Sequence, residues 1–150
     1  MVTAHSQGLS GLTASTTYNY RVRSKDAAGN QAVSGNATFA TTAAPDTTAP
    51  VISAVTAAGM TATGATISWT TNEASDTQVE YGTTTAYGSL TTLNGSMVTA
   101  HSQGLSGLTA STTYNYRVRS KDAAGNQAVS GNATFSTTAS TDKTPPVISG

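Results

Sequence analysis

Apolar and polar side chains alternate along several short stretches of this chain, and no segment shows sustained helical spacing. At 65–70, for example, Ala65, Ile67 and Trp69 share one face. Successive side chains of a strand point to opposite faces, so this alternation indicates half-buried β-strands. Turn residues separate the stretches, with Asn94-Gly95 as a predicted tight turn, and the whole pattern predicts an all-β domain. The seven predicted strands are 50–55, 65–70, 77–81, 89–92, 98–105, 113–121 and 133–137.

The chain repeats itself with a period of 96 residues. Residues 1–42 and 97–138 differ only at Ala40, where the second copy has Ser136. A fixed period of this kind is typical of tandem repeat proteins. We predict three parts: the C-terminal half of a repeat at 1–43, a complete domain at 46–139, and the start of a third repeat at 142–150.

Two segments of the complete unit carry recognisable features. Trp69 is the lone tryptophan and lies in the second predicted strand. Leu108 precedes Tyr114 by six residues, and Tyr114 and Tyr116 alternate along the longest strand. The features resemble a fibronectin type III domain, of the kind found in tandem in bacterial extracellular proteins, with Leu108 and Tyr114 at its tyrosine corner. The resemblance implies a seven-stranded immunoglobulin-like β-sandwich with these four residues in structural roles.

The repeat boundaries leave one half of a domain without its complement. Residues 1–43 supply the last three strands of such a sandwich, and residues 46–96 supply the first half only once. Either 46–138 folds in sequence order or 1–96 folds as a circular permutant. We expect sequence order, because it needs no new connection. The remaining half is expected to pair with another chain, by domain swapping or strand addition, or to stay disordered.

Composition excludes several classes of partner. The net charge is zero and only 9% of residues are charged, so the basic face of a nucleic-acid-binding protein is not expected. No apolar run approaches the length of a membrane span, so no membrane insertion is expected. The absence of cysteine excludes disulfides and thiolate sites. The first residues lack the basic start and apolar block of a signal peptide.

No residue set in the sequence predicts catalysis. His5 and His101 are the only histidines and occupy the same repeat position, where we expect exposed strand residues. A Ser-His-acid site needs three converging groups, and one histidine per unit leaves zinc with too few ligands. The chain is therefore predicted to be non-enzymatic and to have no catalytic residue and no bound organic cofactor.

Five acidic and amide residues of the sequence could form a metal site. In the fold that the resemblance implies, the entering linker and two interstrand loops lie at one pole. These segments contain Asp46, Glu73, Asp76, Asp122 and Asn126. Calcium takes about six to eight oxygen ligands, and calcium at domain junctions stiffens many bacterial surface repeats. Asp and Asn are also ordinary turn formers. Calcium binding and turn formation therefore stay open as alternatives.

The remaining charged and aromatic residues point to one face of the predicted sheet. Arg117, Arg119 and Lys121 alternate outward on the longest strand, and Glu80 on the neighbouring strand is predicted to pair with one of the arginines. Such a cross-strand pair contributes about 0.2–1 kcal/mol. Binding of acidic glycans is the alternative for this face. Tyr87 is the one aromatic expected to be exposed, which is too little for a sugar-stacking platform.

The sequence favours a non-enzymatic spacer or adhesive repeat of a larger extracellular or cell-surface protein. Its Pro-rich linkers favour extended, semi-rigid strings. The expected partners are neighbouring repeats or other copies of the same chain, with filament formation through the unpaired half, and a glycan or surface ligand. The alternative is an accessory module of a secreted polysaccharide-degrading enzyme.

Overall fold

The structure is a computed structural model that describes residues 4–141, and all regular structure in this range is β-strand. The chain forms two compact units, Met1–Asp46 and Thr47–Gly150. The predicted third repeat at 142–150 lies outside the described residues. The first unit contains β1 (Thr17–Tyr20), β2 (Arg23–Lys25), β3 (Gln31–Val33) and β4 (Ala37–Ala40). The second contains β5 (Ile52–Ala58), β6 (Gly64–Gly82), β7 (Ser89–Leu90), β8 (Asn94–Ser106), β9 (Thr113–Lys121), β10 (Gln127–Val129) and β11 (Ala133–Ser136).

Two antiparallel sheets that share strand β6 form the second unit. The first part of β6 pairs with β5 and β8 and sets Trp69 opposite His101. Its last part pairs with β7 and β9 and sets Val79 opposite Val118, and β9 also pairs with β10 and β11. This unit therefore folds in sequence order. The all-β sandwich of the fibronectin type III fold is confirmed.

Side chains from both sheets meet in one apolar core. Ile67 and Trp69 come from the first part of β6, Val79 from its last part, and Val118 from β9, and all four are buried. Each large apolar side chain that is fully buried contributes about 1.5–3 kcal/mol to folding. The apolar residues of each alternating stretch therefore form the inward face of a strand.

The connection between β8 and β9 is held by a tyrosine corner. The hydroxyl of buried Tyr114 accepts a hydrogen bond from the Thr109 amide at 3.0 Å, and Leu108 lies buried beside it in the core. Tyr116, two residues along β9, is also buried. Ser111 adopts a left-handed backbone with φ of 50° within this connection. The corner fixes the chain where it crosses from one sheet to the other.

Two sequence-based expectations about loops are wrong. The predicted strands at 65–70 and 77–81 are parts of the continuous strand β6, with register shifts between Thr70, Ser75 and Thr77. Residues 71–76 contain no Gly or Pro to end the strand, and Ser75 pairs with Val98. The predicted turn at Asn94-Gly95 is the beginning of β8, so 91–93 make the connection from β7.

The first unit consists of two small two-stranded sheets, of which only β2–β3 is a hairpin. Strand β1 pairs with β4 and β2 pairs with β3, in the registers that β9 makes with β11 and β10. Its tyrosine corner is also formed, since the Thr13 amide donates to the Tyr18 hydroxyl at 2.9 Å. The apolar side chains Leu9 and Val22 are exposed.

Candidate functional site

A histidine lies inside the sandwich, among hydroxyl groups. His101 is only 3% exposed, so the expectation of an exposed strand histidine is wrong for this copy. Its register on β8 sets it opposite Trp69, on the inward face. The two rings stack with centroids 4.9 Å apart and planes 7° apart. His5, in the first unit, is exposed.

Hydrogen bonds define the tautomer of His101. The Thr71 hydroxyl donates to the Glu73 carbonyl at 2.7 Å, so its oxygen accepts from His101 Nε2 at 2.9 Å. The Ser75 hydroxyl also donates to Thr71 Oγ1, at 3.2 Å. On the other side of the ring, the Thr77 hydroxyl lies 2.7 Å from His101 Nδ1 and donates to it. Because burial lowers the pKa of His101, the ring is neutral near pH 7, and with its single proton on Nε2 it accepts at Nδ1.

This cluster is fully paired and closed to solvent. Trp69 Nε1 donates to the Ser120 hydroxyl at 2.9 Å, and within residues 4–141 no buried side-chain nitrogen or oxygen lacks a partner. Burial lowers the pKa of His101, and the nearby Asp76 carboxylate opposes that shift only in part. Ser75 Oγ approaches His101 Nε2 at 3.5 Å, but Ser75 is wholly buried. The cluster therefore supports the core and presents no nucleophile to a substrate.

The residues of the calcium hypothesis divide into two groups. Asp122 closes its own loop: Oδ1 accepts from the Asn126 amide at 2.8 Å and Oδ2 from the Asn126 side chain at 2.9 Å. Burial alone raises the pKa of Asp122, but these hydrogen bonds outweigh it, so the pKa lies below its usual value. Asp76 Oδ1 accepts from the Lys121 amide at 2.7 Å. Asp76, Asp122 and Asn126 thus make the hydrogen bonds expected of turn and strand residues.

Glu73 lies near this loop. Carboxylate oxygens of Glu73 and Asp122 are within 4.8 Å of each other. Glu73 lies in strand β6, and the predicted loop that was to present it and Asp76 does not exist. Asp46 is the last residue of the first unit. Calcium at this pole stays a prediction.

On the outer face of the sheet, the Glu80 carboxylate binds two arginine side chains. Glu80 Oε2 bonds to Arg117 Nε, and Glu80 Oε1 bonds to Arg119 Nη1 at 2.7 Å. Burial raises the pKa of Glu80, but the two arginines outweigh that effect and lower it. The Arg117 guanidinium also lies 4.7 Å from the centroid of the Tyr87 ring. Tyr87, expected to be exposed, is therefore half-buried and has one ring face covered.

Comparison with known proteins places this sandwich in a family. The profile described as "Purple acid Phosphatase, N-terminal domain" matches residues 50–139, more than half of the chain. The chain belongs to this family. Within this purple acid phosphatase N-terminal domain family, the second unit has the fold of a fibronectin type III module.

Relatives of this family member include polysaccharide-degrading enzymes. Chitinase A1 of Niallia circulans is 37% identical over 150 residues, which are 97% of this chain and 21% of the relative. Endoglucanase B of Cellulomonas fimi is 44% identical over 135 residues, which are 86% of this chain and 13% of the relative. The chain therefore spans about a fifth or less of these relatives. The solution structure of a human fibronectin type III domain is 15% identical in sequence to this chain. The match covers 66% of this chain and 82% of that domain, with a TM-score of 0.46.

Among residues 4–141, no helix is long and apolar enough to cross a membrane.

Proposed function

We propose that this chain is a non-catalytic spacer or adhesive module of a larger extracellular or cell-surface protein. The observation that supports this role is the closed core of the second unit, in which the His101 cluster satisfies its own hydrogen bonds. Polar groups that pair with one another stabilise a fold and leave none free for chemistry. The module then acts by holding its neighbours at a distance.

The entry to the second unit suits a spacer. Val51 N donates to Asn72 Oδ1 at 2.6 Å, and Asn72 N donates to the Val51 carbonyl at 3.3 Å. These bonds fasten the start of the unit to the middle of β6. A module fastened at its entry transmits orientation along a string, which a flexible linker does not.

The second candidate is an accessory module of a secreted polysaccharide-degrading enzyme. The observation that favours it is the similarity to a chitinase and an endoglucanase, of which the chain matches only a small part. In that setting the module would set the distance between a catalytic domain and its insoluble substrate.

A replacement experiment separates the two candidates. The chain is placed between a chitinase catalytic domain and a chitin-binding domain, and a Gly/Ser linker of equal contour length serves as control. An accessory role predicts faster hydrolysis of insoluble chitin than with the control linker, and equal hydrolysis of soluble oligosaccharide. Equal rates on both substrates would leave the spacer of a surface protein as the supported role.

Direct binding is tested separately. A glycan or surface ligand remains a proposed partner, and retention of the purified chain on insoluble chitin or cellulose would support it. A spacer without a glycan site predicts no retention above that of an unrelated β-sandwich protein.

The calcium prediction has its own test. Binding to the folded state alone raises stability with the logarithm of ligand concentration. If calcium binds, the melting temperature is higher with calcium than with chelator, and Glu73→Gln removes the difference. Equal melting temperatures in calcium and in chelator would end the calcium hypothesis.

A further inference from the structure

The one Asn-Gly step of the sequence lies at the beginning of β8, where the ladder to β6 is interrupted. Asn94 pairs with Thr77. The next pair along the ladder is Val98 with Ser75, so residues 95–97 lie opposite a single residue of β6. This whole segment is exposed. The peptide after Asn94 is therefore open to solvent and lies in an irregular part of the sheet.

The Asn94 carboxamide is turned toward the backbone that follows it. Its Oδ1 accepts a hydrogen bond from the Ser96 amide at 3.1 Å. A turn of this kind folds the side chain back over its own backbone and brings Cγ toward the peptide nitrogen of Gly95. The Ser96 N–H then points at the oxygen on which negative charge develops when that nitrogen attacks Cγ.

Gly95 leaves the approach to Cγ unobstructed. Glycine has no Cβ and adopts a wide range of backbone angles. Apart from its chain neighbours, no atom lies within 4 Å of the place where a Cβ at Gly95 would stand. The two reacting groups can therefore reach an attack geometry without displacing another part of the fold.

Two other asparagines of the second unit are held differently. The side-chain nitrogen of Asn126 donates to Asp122 Oδ2 at 2.9 Å, and that of Asn132 donates to Asn115 Oδ1 at 3.1 Å. In the sequence Asn126 is followed by glutamine and Asn132 by alanine, and both of these have a Cβ. These two asparagines therefore serve as comparisons for Asn94.

We propose that Asn94 is a site of spontaneous covalent modification, at which attack by the chain's own backbone converts asparagine to aspartate and isoaspartate. The Gly95 amide nitrogen loses its proton and attacks Asn94 Cγ, so an N–Cγ bond forms. The Cγ–Nδ2 bond then breaks, and Nδ2 leaves as ammonia with the proton that the amide lost. Water adds to either carbonyl of the resulting five-membered imide and reopens the ring.

The conversion changes the charge and the backbone at one point. Both products have a carboxyl group that is ionised at neutral pH, so a chain of zero net charge gains one negative charge. Isoaspartate also passes the main chain through Cγ, which adds one backbone atom beside the interrupted part of the ladder. Because ammonia is lost, the change is one-way, and the converted fraction records the age of the molecule. The reaction is independent of the spacer or adhesive role.

The experiment compares the full folded chain with a synthetic peptide of residues 90–100. Both are incubated in the same mildly alkaline buffer, and mass spectrometry of proteolytic peptides follows conversion, with the two products separated by chromatography. If the fold protected the site, the reaction would require local opening and would slow by the rarity of that opening. We expect the folded chain to react at no less than about a third of the rate of the peptide. A lower rate would overturn the proposal.

Asn126 and Asn132 are internal controls in the same digest. Both should stay largely unconverted over the period in which Asn94 reacts. Conversion of either one as fast as Asn94 would contradict the proposal, because the arrangement at Asn94 would then have no effect.

Two variants of the full chain identify the reacting groups, and thermal unfolding checks that both are folded. Gly95→Ala adds a Cβ that meets no neighbouring atom, and it should slow conversion at Asn94 by about tenfold or more because the Cβ obstructs the attack. Asn94→Gln removes the five-membered ring closure and should abolish the ammonia that the parent chain releases over the same period. An unchanged rate in Gly95→Ala, or ammonia from Asn94→Gln at the parent rate, would overturn the proposal.

Discussion

The neutral His101 ring couples the stability of the second unit to pH. Burial holds the pKa of His101 below its usual value, while the unfolded chain has an ordinary histidine pKa of about 6.5. The unfolded state therefore binds more protons below about pH 6.5, and its proton uptake favours unfolding. The stabilising contribution is complete above this pH and is lost as the pH falls toward the lowered pKa of the folded state.

We expect the free energy of unfolding to fall by at most about 1.4 kcal/mol per pH unit below about pH 6.5 because of His101. Denaturant unfolding at a series of pH values measures this slope. His101→Gln should remove it, and His5→Gln should keep it, because His5 is exposed. Glu80 and Asp122 have lowered pKa values and act at more acidic pH. A slope that survives in His101→Gln would contradict the assignment.

The repeat also supplies a matched control for the tyrosine corner. Tyr114→Phe removes the acceptor of the Thr109 amide, and a lost hydrogen bond of this kind costs about 0.5–1.5 kcal/mol, or more if the amide stays buried. Tyr18→Phe removes the same bond in the first unit, where no closed core depends on it. Thermal unfolding of the second unit should respond to Tyr114→Phe and not to Tyr18→Phe. Equal responses would show that the corner is not coupled to the core.

At the scale of strands, the sequence predicts most of the sandwich. Period-two alternation identifies inward residues such as Trp69 and Val79, because apolar burial has a simple signature. It does not identify His101 as inward. Its partners Thr71, Ser75 and Thr77 lie on another strand, and a polar cluster leaves no apolar periodicity. Register between distant strands decides its burial, and a local pattern does not contain that information.

The hairpin after β6 depends on a glycine. A Cβ at Gly82 would overlap the carbonyl oxygen of Tyr87, which itself has a left-handed backbone with φ of 59°. Gly82→Ala therefore forces the turn to move, and we expect a loss of about 1–3 kcal/mol or more in unfolding free energy. Gly95→Ala is the control, because no atom lies within 4 Å of its added Cβ, and it should change stability by about 0.5 kcal/mol or less. A tolerated Gly82→Ala would mean that this hairpin is not tightly packed.

At the scale of the whole molecule, the chain holds one sequence in two environments. Strand β9 is covered by β6 and has a wholly buried Val118, whereas Val22 is exposed. Local hydrogen bonds are the same in both, since the Val22 and Val118 amides each donate to a serine hydroxyl at 3.0 Å. The environments thus differ in burial and strand pairing and not in local chemistry.

Amide hydrogen exchange, resolved residue by residue by NMR, should separate these contributions. Residues 17–25 and 113–121 have the same sequence and flanks, so their intrinsic exchange rates are equal. Amides in a closed core exchange only when the unit opens, which costs nearly the whole free energy of unfolding. Amides in exposed two-stranded sheets exchange after local opening, which costs little. We expect the Val118 amide to exchange at least about a thousandfold more slowly than the Val22 amide, a difference of about 4 kcal/mol in opening free energy. Equal protection of the two amides, in a chain that is monomeric by light scattering, would contradict this expectation. It would mean that the hydrogen bonds within each back half protect the repeated strand, and that pairing with β6 adds nothing.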